Sequence, residues 1–275
     1  RQMCIRDRSS VEVETMKTRL FKQNAKDFAL NLLSILSLTL LIILWSSFSR
    51  THGDYLPGPI KVAEKYISTI EHPVAKLSMF GHAWASLKRV LQGLLYAIII
   101  GIPFGTMIGW NKTFRAIFQP IFELIRPIPP LAWVPLITVW FGIYETPKII
   151  LVFIGTFTAI VVNTYSGIYL AQKENLQVGR LFGAKKIRMV VDIVLPSALP
   201  SIMAGLKTAL TTGWGVVLAA EMISANSGLG MLVTRGSDSD DIALVMVSII
   251  FIGIIGALMS TVFTIIERKL SPWRT

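Results

Sequence analysis

The stretch FALNLLSILSLTLLIILWSSF, residues Phe28–Phe48, contains no charged side chain and decides the class of fold. An α-helix needs about 20 predominantly apolar residues to cross roughly 30 Å of hydrocarbon, and this stretch has that length. Its apolar core is too long for a signal peptide, and no small-residue cleavage site follows it. We therefore predict a membrane-spanning helix that stays in the mature protein.

Apolar stretches recur along the rest of the chain, which is 53% hydrophobic and only 16% charged. Such runs are too long for the elements of a soluble core, so they indicate further membrane spans. Six spans would return both termini to the same side of the membrane. The sequence thus predicts an all-α membrane protein with about six transmembrane helices. The five further candidates lie at residues 90–110, 131–142, 149–171, 202–223 and 242–266.

The basic residues indicate how these spans are oriented. With both termini inside, the inner segments carry fifteen Lys and Arg residues and the outer segments carry eight, leaving out residues 1–15. Cytoplasmic loops are enriched in Lys and Arg, so this bias favours two cytoplasmic tails, 1–27 and 267–275, around a transmembrane domain at 28–266. Met16 is a candidate natural start, which would make residues 1–15 non-native, and no inference rests on them.

The outer segment from Arg50 to Trp84 mixes apolar and charged positions and is too polar to cross the membrane. We expect it to lie along the membrane surface. Two cations follow at the outer end of the second span, where we expect their side chains to snorkel towards water. Three histidines fall in the outer segment, and their spacing does not match a helical zinc site, so we expect surface histidines and no metal. These residues are Lys88 and Arg89, and His52, His72 and His82.

Several kinds of chemistry have no sequence support. The chain contains no Gly-Lys pair and therefore no phosphate-binding loop, and it has neither a Gly-x-Ser-x-Gly elbow nor a close carboxylate pair within a span. Its net charge of +11 is scattered in short clusters between apolar runs, which is unlike a nucleic-acid interface. A single cysteine, Cys4, excludes an intrachain disulfide. An enzyme is unsupported, and we expect no nucleic-acid partner.

Residues 126–135, RPIPPLAWVP, place four prolines at the third span. Each proline removes a backbone donor and opposes a continuous helix, so we predict that this span is broken or short. Irregular backbone at membrane depth persists only where it is buried in protein or lines a wet cavity. The segment is therefore either a wall of the translocation pathway or a re-entry turn at the interface. The pathway candidates are Pro129, Pro130, Trp133, Pro135, Trp140, Trp214 and Glu221.

Glu221 follows a long apolar stretch near the end of the fifth span. An ionisable group at that depth is costly and is a functional candidate; the alternative is a carboxylate at the outer interface, in contact with solvent or with a neighbouring Asn or Arg. In the second span, Gly101, Gly105 and Gly109 repeat every four residues. This stripe is typical of a helix face on which another helix packs closely.

The segment at 173–200 is too polar to span the membrane and lies on the predicted cytoplasmic side. We predict a compact knob of short helices around Gly183, suited to docking a partner. The segment resembles the cytoplasmic signature of binding-protein-dependent ABC importer permeases, since Gly183, Ile193, Leu195 and Pro196 have its spacing. The Glu-Ala-Ala positions of that signature are instead occupied by Gln177, Val178 and Gly179. The resemblance implies that residues 173–196, including Ala184, dock an ATPase.

The resemblance extends from about Leu30 to the end of the chain and is closest to the nitrate, sulfonate and taurine permease group. It implies a type I, MetI-like permease in the bacterial inner membrane, a second permease copy, surrounding lipid, two ATPase subunits that bind ATP and Mg, and an extracytoplasmic binding protein. A membrane scaffold or an ion-coupled carrier is the alternative. The motifs that carry the resemblance are LPGP (56–59), SLKRV (86–90), IPPLAWVPL (128–136), WFG (140–142), GWG (213–215), AEM (220–222), GLG (228–230) and ERKLSPW (267–273).

Overall fold

A computed structural model gives the fold, which is helical throughout the part of the chain that it describes, without a β-strand. The chain divides into two units, residues 1–62 and 63–275. Within them, the structure describes Leu30, residues 32–53 and 55–170, Gln177, Gly179, Leu181 and residues 184–270. Five described helices are long and apolar enough to span a membrane, or six if one bent pair counts as a single span.

The first unit contains helix α1, Leu32–Thr51, whose apolar side chains are exposed along its length. After α1 the chain turns back, and the indole nitrogen of Trp45 donates a hydrogen bond to the Pro57 carbonyl over 3.1 Å. Helix α1 agrees with the first predicted span. A helix that is exposed and apolar on every side needs lipid or another chain around it.

Helix α2, Pro59–Glu71, and a 3₁₀ turn, Val74–Lys76, form the outer segment. Helix α3 then runs from Met79 to Trp110, so the second span begins earlier than the predicted residue 90. The reason is local, because the Ser78 side chain accepts a hydrogen bond from the Gly81 backbone and caps the helix at Met79. The last part of the segment predicted to lie on the surface thus belongs to a span.

The third span is broken, as the prolines predict. Helix α4, Lys112–Ile125, begins at an Asn111 cap; the 3₁₀ turn Pro130–Trp133 and helix α5, Val134–Phe141, follow, with a bend of 86° between the two parts. The predicted third span begins at residue 131, whereas the structure adds helix α4 before it. Helix α4 is strongly amphipathic, and together with α5 it is long and apolar enough to count as one bent span.

Helix α6, Glu145–Tyr169, precedes the segment at 173–196 that was predicted to be cytoplasmic. The described part of that segment continues as a helical turn, Lys186–Arg188, and a π-helix, Met189–Val194, directly into helix α7, Leu195–Ser224. The fifth span was predicted to begin near residue 202, with prolines marking its junction; instead one helix runs through Pro196 and Pro200. Proline lacks the backbone N–H that a regular helix needs, and the π-helix just before Pro196 accommodates this loss without ending the helix.

Helices α8, Leu229–Asp238, and α9, Ile242–Leu270, complete the second unit. Helix α6 is central, with α3 on one side and α7 on the other. The α3 glycine stripe faces α6: a Cβ at Gly105 would lie 2.8 Å from Thr164 Cβ, and one at Gly109 would lie 2.8 Å from Ile168 Cβ. Glycine lets the two backbones approach closely along the whole contact.

Candidate functional site

The described part of the predicted docking segment packs against the start of the long helix. Gly179 is buried beneath the side chain of Ile193, and its carbonyl accepts a hydrogen bond from the Ala184 backbone over 3.0 Å. Gln177 and Pro196 are exposed, and Leu195 is half-buried. The remaining predicted docking residues, Val178 and Gly183, lie outside the described residues.

Below Ile193 the long helix is anchored in the bundle. Val194 is buried together with Ile168 at the end of α6, and Ala198 and Ile202 continue the same apolar cluster along α7. A displacement of the docking segment would therefore be passed directly to α7, since no flexible joint separates them in the described chain.

The proline break lies beside the middle of α6. A Cβ placed on Gly155 would lie 3.2 Å from the Pro130 ring, so the 3₁₀ turn rests directly on the α6 backbone. Gly155 lies near the middle of helix α6, Glu145–Tyr169. The proline turn therefore packs against the middle of a span, and both the pathway wall and the re-entry turn stay predictions.

A cavity of about 370 Å³ opens between the break, α6 and α7. Its volume falls within the range of small-molecule sites, about 300–1,000 Å³. The break contributes Pro129, Pro130 and Trp133, and several polar side chains lie among the apolar residues of the other walls. These walls carry Thr158 and Asn163 from α6, Thr208 and Thr212 from α7, and Arg126 from the end of α4.

The structure does not bring the other pathway candidates to this cavity. Pro135 and Trp140 are exposed on α5. Trp214 is buried against α9, where a Cβ on Gly256 would lie 3.1 Å from the indole nitrogen. Glu221 lies further along α7, at the end of the bundle opposite the docking segment.

Glu221 forms part of a buried ionic cluster. Its carboxylate lies 2.5 Å from the Arg89 guanidinium and accepts a 2.8 Å hydrogen bond from the Ser86 hydroxyl. Arg89 also bonds both carboxylate oxygens of Glu145, at 2.5 and 2.8 Å, and the Ser227 carbonyl and hydroxyl, each at 2.8 Å. All five guanidinium N–H donors are therefore used, and the cluster joins α3, the start of α6 and the end of α7.

The loop after α7 closes over this cluster. The Gly230 backbone donates to the Glu221 carboxylate over 3.0 Å, and the Leu229 backbone donates to the Ser86 hydroxyl over 2.9 Å. Gly228 has a φ of 118°, and any side chain there would collide with the Glu221 carboxylate. Only glycine suits this position, because both the backbone angle and the space exclude a Cβ.

Two expectations from the sequence are wrong here. Arg89 does not snorkel, since its side chain is only 3% exposed, whereas the neighbouring Lys88 is exposed as expected. His82 is not a surface residue either: it is 1% exposed, and its ring bonds the Val74 carbonyl and the Gly228 backbone nitrogen at 3.0 and 3.1 Å. Both side chains are buried because the loop after α7 supplies polar partners for them.

The partners of Glu221 were missed by the sequence analysis, although a signal was present. Arg89 and Glu221 are opposite charges predicted at the same end of two apolar spans, and intramembrane charges commonly pair with one another. Three of the quoted motifs, SLKRV, AEM and GLG, lie far apart in sequence and meet in this single cluster.

Comparison with known families agrees with this architecture. Residues 97–275 match the family described as the binding-protein-dependent transport system inner membrane component. The chain belongs to this family of ABC importer permeases, whose ATPase activity resides in a partner subunit.

Similar curated proteins indicate which group of permeases within the family this chain resembles. The chain is 35% identical to the taurine transport system permease protein TauC of Escherichia coli (strain K12), over 88% of this chain and 89% of that protein. It is 31% identical to the bicarbonate transport system permease protein CmpB of Synechococcus elongatus, over 82% and 84%. It is 29% identical to the putative aliphatic sulfonates transport permease protein SsuC of Bacillus subtilis (strain 168), over 80% and 78%.

A solved structure shows the same fold. Inward-facing MetNI, a methionine ABC transporter, contains a chain that aligns with a TM-score of 0.61 at 19% identity, covering 68% of this chain and 93% of that one. The protein is thus a multi-pass inner-membrane permease with a type I importer fold, of the group that handles taurine, sulfonate and bicarbonate.

Proposed function

We propose that this chain is the translocating subunit of an ATP-driven importer for a small anionic or zwitterionic solute, with taurine or an aliphatic sulfonate favoured and nitrate as a further candidate. The observation that carries the proposal is the bent third span, whose proline turn borders an open cavity with α6 and α7 that has threonine, asparagine and arginine side chains in its walls. Broken helices that meet a cavity near the midplane are typical of solute pathways.

The proposed assembly contains two copies of the permease, two ATPase subunits and an extracytoplasmic binding protein. In this assembly the ATPase subunits bind ATP and Mg. The exposed apolar surface of α1 supports contact with lipid or with the second copy. Both termini are placed in the cytoplasm, as the distribution of Lys and Arg favours.

In the proposed mechanism, closure of the ATPases displaces the segment at 173–196. The described helix runs without interruption from the π turn at Met189 to Ser224, so that displacement reaches the cavity wall formed by α7. Near the other end of the same helix, Glu221 belongs to the ionic cluster. We propose that this rigid element links the two ends and alternates access to the cavity.

The two alternative functions, a membrane scaffold and an ion-coupled carrier, have less support from the structure. A scaffold has no need of a broken span beside a polar cavity. A carrier needs an intramembrane charge that can exchange its ion, yet Glu221 is engaged by Arg89, Ser86 and the Gly230 backbone.

Competition between solutes tests the proposed substrate class. Vesicles containing the permease, its ATPase and its binding protein would take up labelled taurine, with unlabelled taurine, alkanesulfonates, nitrate and bicarbonate as competitors. We expect taurine or alkanesulfonates to compete best. Stronger competition by nitrate or bicarbonate would reassign the solute, and failure of every one of these anions to compete would refute the proposal.

A further inference from the structure

We propose that Arg126 binds the oxyanion end of the transported solute inside the cavity at the proline break. The residue lies at the end of α4, immediately before the four prolines, and its side chain lines the cavity with Thr212 and Asn163. The identity of the solute as a sulfonate rests on the proposed function, whereas the anion preference of the cavity follows from the residues themselves.

The first argument is the depth of the cation. Thr158 and Asn163 lie in the middle and second half of α6, and Thr208 and Thr212 lie in the middle of α7. The cavity that Arg126 shares with them therefore lies partway along these spans, and Arg126, Thr208 and Thr212 are exposed at its open side. A charge at that depth is costly and faces a polar cavity or a partner. Arg126 both lines the cavity and pairs with Glu123, so it is a functional candidate.

The second argument is the set of donors that Arg126 leaves unused. Its one partner among the described residues is Glu123, with Nη1 3.3 Å from Oε1 and 3.1 Å from Oε2. Nε and Nη2 have no protein acceptor in the described chain. Arg89, by contrast, uses all five of its donors and is 3% exposed, whereas the Arg126 side chain is 42% exposed. Arg89 is a structural cation, and Arg126 is available to a ligand.

A second donor in the cavity wall also lacks an acceptor. The indole nitrogen of Trp133 is buried and has no hydrogen-bond partner among the described residues. The hydroxyls of Thr158 and Thr208 and the amide of Asn163 instead donate to carbonyls of their own helices. Arg126 and Trp133 therefore supply unused donors on the side of the break, and an acceptor-rich group is their natural ligand.

The chemistry of arginine identifies that group. Its planar guanidinium presents N–H donors in a fork that matches two oxygens of a carboxylate, phosphate or similar oxyanion. A sulfonate or bicarbonate offers such oxygens. The oxygens of Thr158, Asn163 and Thr208 line the facing walls and can accept from the other end of a small solute, such as an ammonium group.

Charge-selective labelling of the cavity tests this inference without relying on transport. The full chain carrying Cys4→Ser and Thr212→Cys, in vesicles permeabilised to both faces, would react with an anionic sulfonatoethyl and a cationic trimethylammonioethyl methanethiosulfonate. We expect the ratio of anionic to cationic labelling rates to fall by roughly threefold to tenfold on Arg126→Gln, because the local cation is lost. Arg126→Lys retains the charge and should retain most of the ratio.

A neighbouring position gives the matched control. Thr211 is adjacent on α7 but lines a different cavity, with Lys207 and Trp214. The labelling ratio at Thr211→Cys should not respond to Arg126→Gln, and it should fall on Lys207→Gln, which removes a cation of similar exposure, 45%. An unchanged ratio at Thr212→Cys, or an equal fall at both positions, would overturn the inference.

Protection by solute needs no change at Arg126 and so remains informative if that variant fails to fold. Ethanesulfonate should slow labelling of Thr212→Cys by neutral methyl methanethiosulfonate, whereas choline chloride at equal ionic strength should not. Equal effects of the two salts would refute binding of the oxyanion. An Arg126-dependent ratio without uptake of any tested anion would leave this site in place and reject the proposed function instead.

Discussion

Arg89 and Glu221 are 132 residues apart in sequence, and their side chains form a 2.5 Å ion pair inside the bundle. Arg89 lies in the first half of α3, which begins at Met79, and Glu221 lies near the end of α7, so the pair joins the same end of the two helices. The pair is sealed from solvent, and Ser86 and the Gly230 backbone complete the coordination of the carboxylate. This end of the bundle is therefore held together by polar bonds, unlike the opposite end, where apolar residues form the contact.

The ion pair predicts an asymmetric response to substitution. Arg89→Met leaves the buried Glu221 carboxylate without its cation, which costs about 3–5 kcal/mol. Glu221→Met should cost less, because Arg89 keeps its two hydrogen bonds to Glu145. The double substitution removes both buried charges and should cost less than Arg89→Met alone. Thermal unfolding of the purified permease in detergent, measured for the two single variants and the double variant, tests this expectation.

A half-buried ion pair gives the control for that experiment. The Lys65 and Asp241 side chains are 31% and 28% exposed, and pairs within reach of solvent contribute about 0–1 kcal/mol, so Lys65→Met should change the melting temperature far less than Arg89→Met. Additive losses in the Arg89 and Glu221 variants would contradict the view that the two charges act as one unit.

The glycine stripe predicts that a single methyl group is too large at the α3–α6 contact. Gly105→Ala would place Cβ 2.8 Å from Thr164 Cβ and 3.0 Å from the Val161 carbonyl, and overpacking of this kind costs about 1–3 kcal/mol. We expect a melting temperature several degrees lower. Gly253→Ala on α9 is the matched control, since no atom lies within 4 Å of that position; an equal effect at both sites would contradict close packing of α3 on α6.

If the segment at 173–196 docks the ATPase, a bulky residue in it should uncouple ATP hydrolysis from solute uptake. Gly183→Trp should leave basal ATPase activity of the assembled complex in place while uptake falls at least tenfold, because the ATPases no longer transmit closure to α7. Parallel measurement of ATP hydrolysis and solute uptake in vesicles checks this result. Gly253→Trp serves as the control, and unchanged uptake in Gly183→Trp would refute the assigned docking role.

The sequence predicted individual spans better than their contacts. Length and hydropathy are local properties, so the stretch at Phe28–Phe48 and the break at the prolines were recognisable before any fold was known. Residues 112–126 were left out of the third span because they contain four charged residues, although their apolar residues repeat with the helical period. The start of α3 was missed because it depends on one side-chain cap at Ser78.

The candidate site was predicted in part for a similar reason. Glu221 was recognisable as an anomaly because a carboxylate in an apolar stretch is costly. Its partners were not, since the pairing with Arg89 depends on how α3, α6 and α7 pack. Trp140 and Trp214 resembled pathway residues by composition alone, but their surroundings differ: one is exposed on α5, and the other is buried against α9.

The central claim is that partner ATPases drive solute through this chain, and ATP-dependent uptake tests it most directly. Proteoliposomes containing the permease, the ATPase subunits and the binding protein would be loaded with ATP and Mg on the ATPase side, and uptake of labelled taurine would be measured. We predict uptake that requires ATP, the ATPase and the binding protein together. Uptake of equal rate in proteoliposomes that lack the ATPase would contradict the account.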